Sequence, residues 1–374
     1  MKYFLIAGEA SGDLHASNLM KGLMEADPEA EFCYMGGDLM KEVAGGMVMH
    51  YRETSYMLLD VLFHLRKIFR NMRLIRNRIA AWKPDVLIPV DYPGFNLRMA
   101  RYASGKGIPV FYYISPKVWA WRQRRVKSLK RYVSRMFAIL PFEVNFFRGF
   151  DMEVEYFGNP LVDQVSAFRK HFEGAEEWRR KHGFGRKPLV ALLAGSRIRE
   201  IETTLPVMLT LAGENPEYDF VVAGAPSIDA SVYEKYLSGT GVSIVYNETY
   251  ALLASSKAGV VNSGTATLEA ALFELPQVVL YRTTKLAYGI AKRLIKINFI
   301  SLVNLIYGKK LVEEVIQKDL TRKTRKELNR ILSDDPYREW MQEGYRHIIS
   351  ELGQPGVSHR IGTRMIELLN AETE

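Results

Sequence analysis

Five short segments carry residue types that can bind or activate a hydroxyl-rich, phosphorylated ligand. Gly8-Glu9-Ala10-Ser11-Gly12-Asp13 sets two carboxylates in a glycine-bounded turn. It has neither the Gly-x-Gly-x-x-Gly of a dinucleotide loop nor the Gly-Lys-Ser/Thr of a P-loop, so it suits sugar hydroxyls better than phosphates. His15 follows, facing either a cleft or the core. Asp91 ends the apolar run Val86–Val90, ahead of Tyr92-Pro93-Gly94-Phe95-Asn96. A carboxylate there can take a proton from an attacking hydroxyl, or simply cap the next helix. Gly195-Ser196-Arg197 and Ser263-Gly264-Thr265-Ala266-Thr267-Leu268-Glu269 each open a helical stretch. Backbone N–H groups at such starts receive phosphates, Arg197 adds charge-assisted bonds, and Glu269 can accept from ribose hydroxyls. The plainer reading of the last segment is a capping box with Glu269 in solvent. Ser115-Pro116-Lys117-Val118-Trp119-Ala120-Trp121-Arg122 sets two tryptophans beside guanidinium groups. That combination suits base stacking or an acyl chain with an anionic head group, and one of the two rings is expected in the core.

Each segment follows a short, continuously apolar run, as strands of a parallel sheet covered on both faces do. The first half predicts strands at Tyr3–Ala7, Glu31–Met35, Val86–Val90, Val110–Ile114, Met136–Leu140 and Glu153–Phe157. A polar stretch from Glu173 to Pro188 reads as a connection. The pattern then restarts at Leu189–Leu193, Phe220–Ala223, Val242–Tyr246, Ala258–Asn262 and Val278–Tyr281. Two βα arrays predict an α/β protein of two Rossmann-like domains facing across a cleft, with ligands at the carboxyl ends of the strands.

The length of 374 residues fits two domains, and 48% hydrophobic with 25% charged residues is a globular composition. A single cysteine, Cys33, allows no internal disulfide and fits a reducing compartment. The apolar runs are too short for a signal peptide or a membrane span, so a cytosolic protein is expected. No His/Cys cluster has metal-ligand spacing, which argues against a structural zinc. Absence of Gly-x-Ser-x-Gly argues against a nucleophile-elbow hydrolase. The net charge of +9 is lopsided, because residues 61–142 hold 18 Lys/Arg against Asp85 and Asp91 alone. Such a field draws a polyanion: nucleic acid, acidic lipid or a phosphorylated substrate. Between Met57 and Trp82 an apolar stripe at helical spacing, including Leu58 and Leu62, opposes Arg66, Lys67 and Arg70, and the part from Tyr56 to Phe63 is apolar on more than one face. A helix of this kind lies on an anionic membrane or packs its stripe on the sheet and its charges in water.

Taken together in this order, the segments resemble bacterial lipid-A-disaccharide synthases, inverting glycosyltransferases of the two-domain GT-B type, family 19. The matching runs are Gly8 to His15, Asp91 to Asn96, Ser115 to Arg122, Leu140 to Glu143, Phe157 to Pro160, Gly195 to Arg197, Ser263 to Glu269, Tyr281-Arg282 and Ser301 to Asn304. Pro89, Ala194 and Val303 depart from the family pattern and bear on loop stiffness more than chemistry. The resemblance implies condensation of UDP-2,3-diacylglucosamine with 2,3-diacylglucosamine 1-phosphate into a β-1,6 disaccharide 1-phosphate and UDP, without metal or other cofactor. It implies Asp91 as base, or as an orienting group only, and Arg197 as stabiliser of the leaving UDP. Gly195, Ser196, Arg197, Ser263, Gly264, Thr265, Thr267, Glu269 and Asn304 would bind UDP. Glu9, Ser11, Asp13, His15, Asn96, Trp119 and Arg122 would bind the acceptor. Met57, Leu58, Leu62, Phe63, Arg66, Lys67 and Arg70 would touch the anionic inner-membrane surface from the cytoplasm. The implied domains are 1–172 for acceptor and membrane, joined by about 336–374, and 173–335 for the UDP-sugar; a homodimer is compatible, and no nucleic acid is expected. The rivals are another GT-B sugar-nucleotide enzyme, a glycosyltransferase or UDP-sugar epimerase, and a nucleic-acid-binding protein using the basic segment.

Overall fold

The computed structural model describes residues 1–53, 65–284, 288–289 and 297–373. These divide into two compact units, Met1–Asp163 with Gly353–Glu374, and Gln164–Leu352.

The first unit is a seven-stranded sheet: β1 (Lys2–Ala7), β2 (Glu31–Gly36), β3 (Met47–His50), β4 (Val86–Val90), β5 (Phe111–Tyr113), β6 (Arg135–Ala138) and β7 (Glu155–Tyr156). The order is β3-β2-β1-β4-β5-β6-β7, and every pairing is parallel. Strand order reverses between β1 and β4, where α/β sheets open a crevice. Ala7 pairs with Val90, so the loops starting at Gly8 and Asp91 leave the sheet side by side. On one face the helix Ala10–Ala26 and the terminal helix Val357–Thr373 bury Leu19, Leu23, Ile361 and Met365. They pack closely because a Cβ on Gly22 would meet the Ser358 carbonyl oxygen at 2.5 Å. Asp163 holds the last helix by accepting from the backbone N–H groups of Gly356, Val357 and Ser358.

Helix Leu65–Trp82 covers the other face. Its Met72, Ile75 and Ile79 are fully packed on the sheet, and Arg66, Arg70 and Arg73 face solvent. Over this stretch the stripe serves the core, although Phe69 remains 63% exposed. Met57, Leu58, Leu62 and Phe63 lie outside the described residues. Among the described residues no helix is long and apolar enough to cross a membrane.

The second unit is a six-stranded parallel sheet of β8 (Leu189–Leu193), β9 (Asp219–Gly224), β10 (Ser243–Tyr246), β11 (Ser256–Asn262), β12 (Gln277–Tyr281) and β13 (Glu314–Ile316), in the order β10-β9-β8-β11-β12-β13. Here the order reverses between β8 and β11, and Leu193 pairs with Val261. The loops at Gly195 and Ser263 are again neighbours. Two doubly wound parallel sheets are thus the architecture the apolar runs predict. The edge strands β3 and β13, of four and three residues, carry too little pattern to be read from sequence.

Both domain boundaries shift from the expected positions. Residues 164–172 belong to the second unit because Phe168 and Phe172 pack with Trp178 and Phe273 in its core. The expected connection, Glu173 to Pro188, contains the helix Ala175–Lys181, anchored there by Trp178. Residues 336–352 also stay with the second unit: helix Asp335–Leu352 buries Met341, Tyr345 and Ile348, and only the stretch from Gly353 on returns.

Candidate active site

At the first switch point the main chain is forced into an uncommon shape. Asp91 and Tyr92 both have positive φ, 43° and 45°, before Pro93 starts the helix Pro93–Ser104. Two successive non-glycine residues in that region are strained and persist only where neighbours hold them. The neighbours are visible. Asn96 Nδ2 donates to the carbonyls of Ile6, Val90 and Asp91 at 3.3, 3.1 and 2.8 Å. The Tyr112 hydroxyl donates to the Asp91 carbonyl at 2.5 Å. The Tyr92 ring lies over Gly8, where a Cβ would come within 2.2 Å of it.

This clamp acts on the Asp91 main chain and leaves its carboxyl half-buried. Loss of hydration pushes the Asp91 pKa up from 3.8 to about 6; Lys117 opposes the rise and Glu9 adds to it. A carboxylate poised there is basic enough to accept a proton near neutral pH and still ionised.

Of the other expected acceptor residues, Glu9, Ser11 and Arg122 are exposed and four are not. Asp13 is buried, its oxygens accepting from the N–H groups of Gly37, Leu39 and Met40 at 2.7, 3.1 and 3.3 Å, where it caps the helix Asp38–Val43. His15 is buried with no hydrogen bond to Nδ1, and desolvation pulls its pKa down to about 4, so the ring is neutral. Asn96 is fully buried and stitches β1 to β4 as described, with its Oδ1 unpartnered. Trp119 is the core ring of the tryptophan pair, and the exposed one is Trp121. Asp13, Asn96 and Trp119 therefore hold the loops in place. Asx side chains next to turns satisfy the main chain as readily as a ligand.

Glu143, to which the sequence assigns no role, does much of this holding. It is buried, and it accepts from Ser115 Oγ and from Trp119 Nε1 at 3.0 Å, and from the N–H groups of Ile139 and Leu140 at 3.3 and 3.1 Å. Desolvation raises its pKa to about 7 against those bonds. The loop after β5 is thereby tied to the loop after β6, and it carries Lys117, whose charge acts on Asp91. The signal in the sequence was Leu140-Pro141-Phe142-Glu143, a helix start with an acid at its third position. Ile114, at φ 62°, carries further strain at the end of β5.

At the second switch point Gly195 adopts φ 113°, a conformation that favours glycine, and a Cβ there would meet Glu200 at 2.5 Å. Ser196 and Arg197 are exposed before the helix Ile198–Glu214. Glu200 reaches back to accept from the Ser196 N–H at 3.0 Å and lies 3.5 Å from Arg197. A carboxylate thus faces part of the helix start expected to receive phosphate. Alongside, Gly264 and Thr265 are exposed at the start of helix Thr265–Leu272. Ser263 Oγ donates to the Ile300 carbonyl, and Thr267, buried, donates to the Gly264 carbonyl at 2.8 Å. Both hydroxyls brace the loop. Glu269 is half-buried, its pKa raised by desolvation, and accepts from the Tyr250 hydroxyl at 3.0 Å.

The expected UDP contact at Asn304 does not fit the geometry. Its Nδ2 donates to the Val312 carbonyl and to Glu314, and its Oδ1 accepts from Leu311 and Val312 N–H, all at 2.8–2.9 Å. Both donors and both acceptor sites of the amide are filled and the residue is fully buried. Glu314 also accepts from the N–H groups of Ile300 and Ser301, so the pair forms a brace under the loop. Among the described residues no group of three or more His, Cys, Asp or Glu could hold a metal ion.

Comparison with known proteins adds a line independent of this geometry. The family model described as lipid-A-disaccharide synthetase matches residues 3–360. The chain is 37% identical to the lipid-A-disaccharide synthase of Myxococcus xanthus over 377 residues, which cover 98% of this chain and 97% of that protein. It is 35% identical to the Geobacter metallireducens protein of the same name, with 98% and 97% covered. Among solved structures, the UDP-GlcNAc 2-epimerase of Neisseria meningitidis bound to UDP-GlcNAc aligns with a TM-score of 0.68 over 98% of this chain and 100% of its own, at 14% identity. That last likeness establishes the fold alone.

Proposed function

The chain belongs to the lipid-A-disaccharide synthase family and is a glycosyltransferase of lipid A disaccharide synthesis, and we propose how its two units divide the reaction. The first unit takes the acceptor, 2,3-diacylglucosamine 1-phosphate, and the second takes UDP-2,3-diacylglucosamine. Asp91 removes the proton of the acceptor 6-hydroxyl as that oxygen bonds to the donor anomeric carbon. The bond from that carbon to the UDP oxygen breaks in the same displacement, with inversion, giving the β-1,6 disaccharide 1-phosphate and UDP. Negative charge grows on the departing diphosphate. Arg197 and the N–H groups at Gly195–Arg197 and Gly264–Thr265 receive it, aided by the dipoles of the helices they open. Glu269, steadied by Tyr250, accepts from the ribose.

One observation carries this reading: a strained, clamped carboxylate with raised pKa at one switch point, matched by two glycine-opened helix starts at the other. The test is UDP release in detergent micelles containing EDTA, with both lipids supplied. Turnover that needs both lipids supports it. No disaccharide at any acyl length, with divalent metal restored, would refute it.

The acceptor lives in a membrane, and the exposed Phe69 among Arg66, Arg70 and Arg73 suits a peripheral approach to an anionic leaflet from the cytoplasm. Co-sedimentation with anionic vesicles should weaken as salt rises. Binding that ignores salt and lipid charge would rule this out.

A further inference from the structure

We propose that Arg98, Arg122 and Arg125 form a phosphomonoester-binding subsite beside Asp91 that takes the 1-phosphate of the acceptor; the identity of the ligand rests on the acceptor assigned above.

Arg122 sits at φ 56° where the Ser115–Arg122 loop ends, and the 3-10 turn Gln123–Arg125 follows, with Arg125 N–H donating to the Arg122 carbonyl at 2.9 Å. That bond closes one turn and brings the Arg125 main chain back beside Arg122. Arg98, on the helix Pro93–Ser104, donates from Nη1 to the Gly94 carbonyl, and its charge reaches Arg125. Burial first, then the nearby charges of Arg122 and Arg98, weaken proton binding by Arg125. Among the described residues, none of the three has a carboxylate within ion-pair distance. Arg101 and Arg131 lie on the Tyr132 ring, and Lys130 faces Asp151 at 3.9 Å. Three cations gathered without a counter-charge repel one another, and a dianion with several acceptor oxygens relieves that repulsion with charge-assisted bonds.

Two further features place this cluster in the reaction. The Arg122 guanidinium lies 4.4 Å from the ring centroid of Trp121, a contact that orients it. Arg125 acts electrostatically on Tyr112, whose hydroxyl holds the Asp91 carbonyl. The subsite therefore stands one side chain away from the base. An acceptor sugar carrying its phosphate on C1 and its nucleophile on C6 would be held at both ends of the ring. Such anchoring makes the hydroxyl's attack effectively unimolecular.

The experiment compares kcat/KM for the phosphorylated acceptor and for the same diacylglucosamine lacking its phosphate. In the wild-type chain the ratio should favour the phosphorylated lipid by about 10²–10³, as two charge-assisted contacts allow. In Arg98→Gln/Arg125→Gln the ratio should fall to within a few-fold of one, and Arg125→Lys, which keeps the charge, should recover part of it. A ratio unchanged in the double variant overturns the proposal. A second arm reads the subsite without turnover: inorganic phosphate should raise the melting temperature of the wild-type chain and not of the folded double variant. If the wild-type chain turns over neither acceptor, the functional reading fails while this arm still decides the subsite. A third arm uses vesicles of anionic phosphodiester lipid without acceptor. Equal binding by wild type and double variant points to the substrate phosphate, and parallel loss of vesicle binding overturns the substrate assignment in favour of a membrane headgroup.

Discussion

Asp91→Asn separates the proposed base from a residue that only orients a sugar. The contacts fixing this loop go to the Asp91 main chain, from Asn96 and Tyr112, so the amide variant keeps them. Its fold should survive, and its stability should rise. In the native chain ionisation of Asp91 is opposed by burial, which moves its pKa from 3.8 to about 6. At about 1.36 kcal/mol per pKa unit, holding the charged form costs about 3 kcal/mol at pH 8. With the amide's own desolvation offsetting half of that, the variant should melt about 3–6 °C higher for a unit of this size. The sign with pH follows from the direction of the shift. Stability from a raised carboxyl pKa is complete below about 4 and is lost as pH climbs to about 6. The advantage of the variant should therefore vanish near pH 4, open between pH 4 and 6, and stay constant above. Activity should move the other way. Removal of a general base lowers kcat by roughly 10²–10⁴, and the native kcat/KM should fall off below about pH 6 as the carboxyl protonates. Calorimetry across pH alongside initial rates reads both. A variant that keeps most of its kcat, or melts lower than the native chain at pH 8, would refute the assignment of Asp91 as base.

Three other substitutions probe the supports. Gly8→Ala drives a methyl to 2.2 Å from the Tyr92 ring, which its left-handed backbone and Pro93 prevent from retreating. The expected cost is about 1–3 kcal/mol, with kcat falling by more than stability accounts for; steady-state rates at full folding check it. Arg197→Ala removes a side chain that is 67% exposed and whose pair with Glu200 adds little to stability, so the melting temperature should hold while kcat drops about 10²–10³. Asn304→Ala leaves the N–H groups of Leu311 and Val312 and the Val312 carbonyl unpartnered in the core, a loss of at least about 3 kcal/mol that denaturant titration would report. Its affinity for UDP, measured on the folded fraction, should stay near native.

The strands were legible wherever they ran through the middle of a sheet. Val86–Val90 and Leu189–Leu193 are buried at every position, so their apolar runs had no alternative explanation. Legible too were the five loops, because each gathers glycine, proline or small polar residues directly after an apolar run. What sequence cannot give is the direction in which a polar side chain points. Asn96 and Thr267 stand inside the same motifs as Asp91 and Thr265, and Asp13 and Asn304 inside two others, yet each is turned inward onto the main chain. A motif records which residues gather, and two opposite demands gather the same types. The substrate needs polar groups facing out, and a strained loop carrying them needs polar groups facing in. Asp91 shows why the demands come as a pair. Its φ of 43° is held against strain by bonds from Asn96 and Tyr112 to its carbonyl, and its carboxyl makes only a local bond to the Tyr92 N–H. The same logic explains Glu143, which is buried beneath the Ser115–Arg122 loop and leaves Lys117, Trp121 and Arg122 at the surface. A polar residue in these loops is therefore best sorted by one question: whether its neighbours' backbone groups would be satisfied without it.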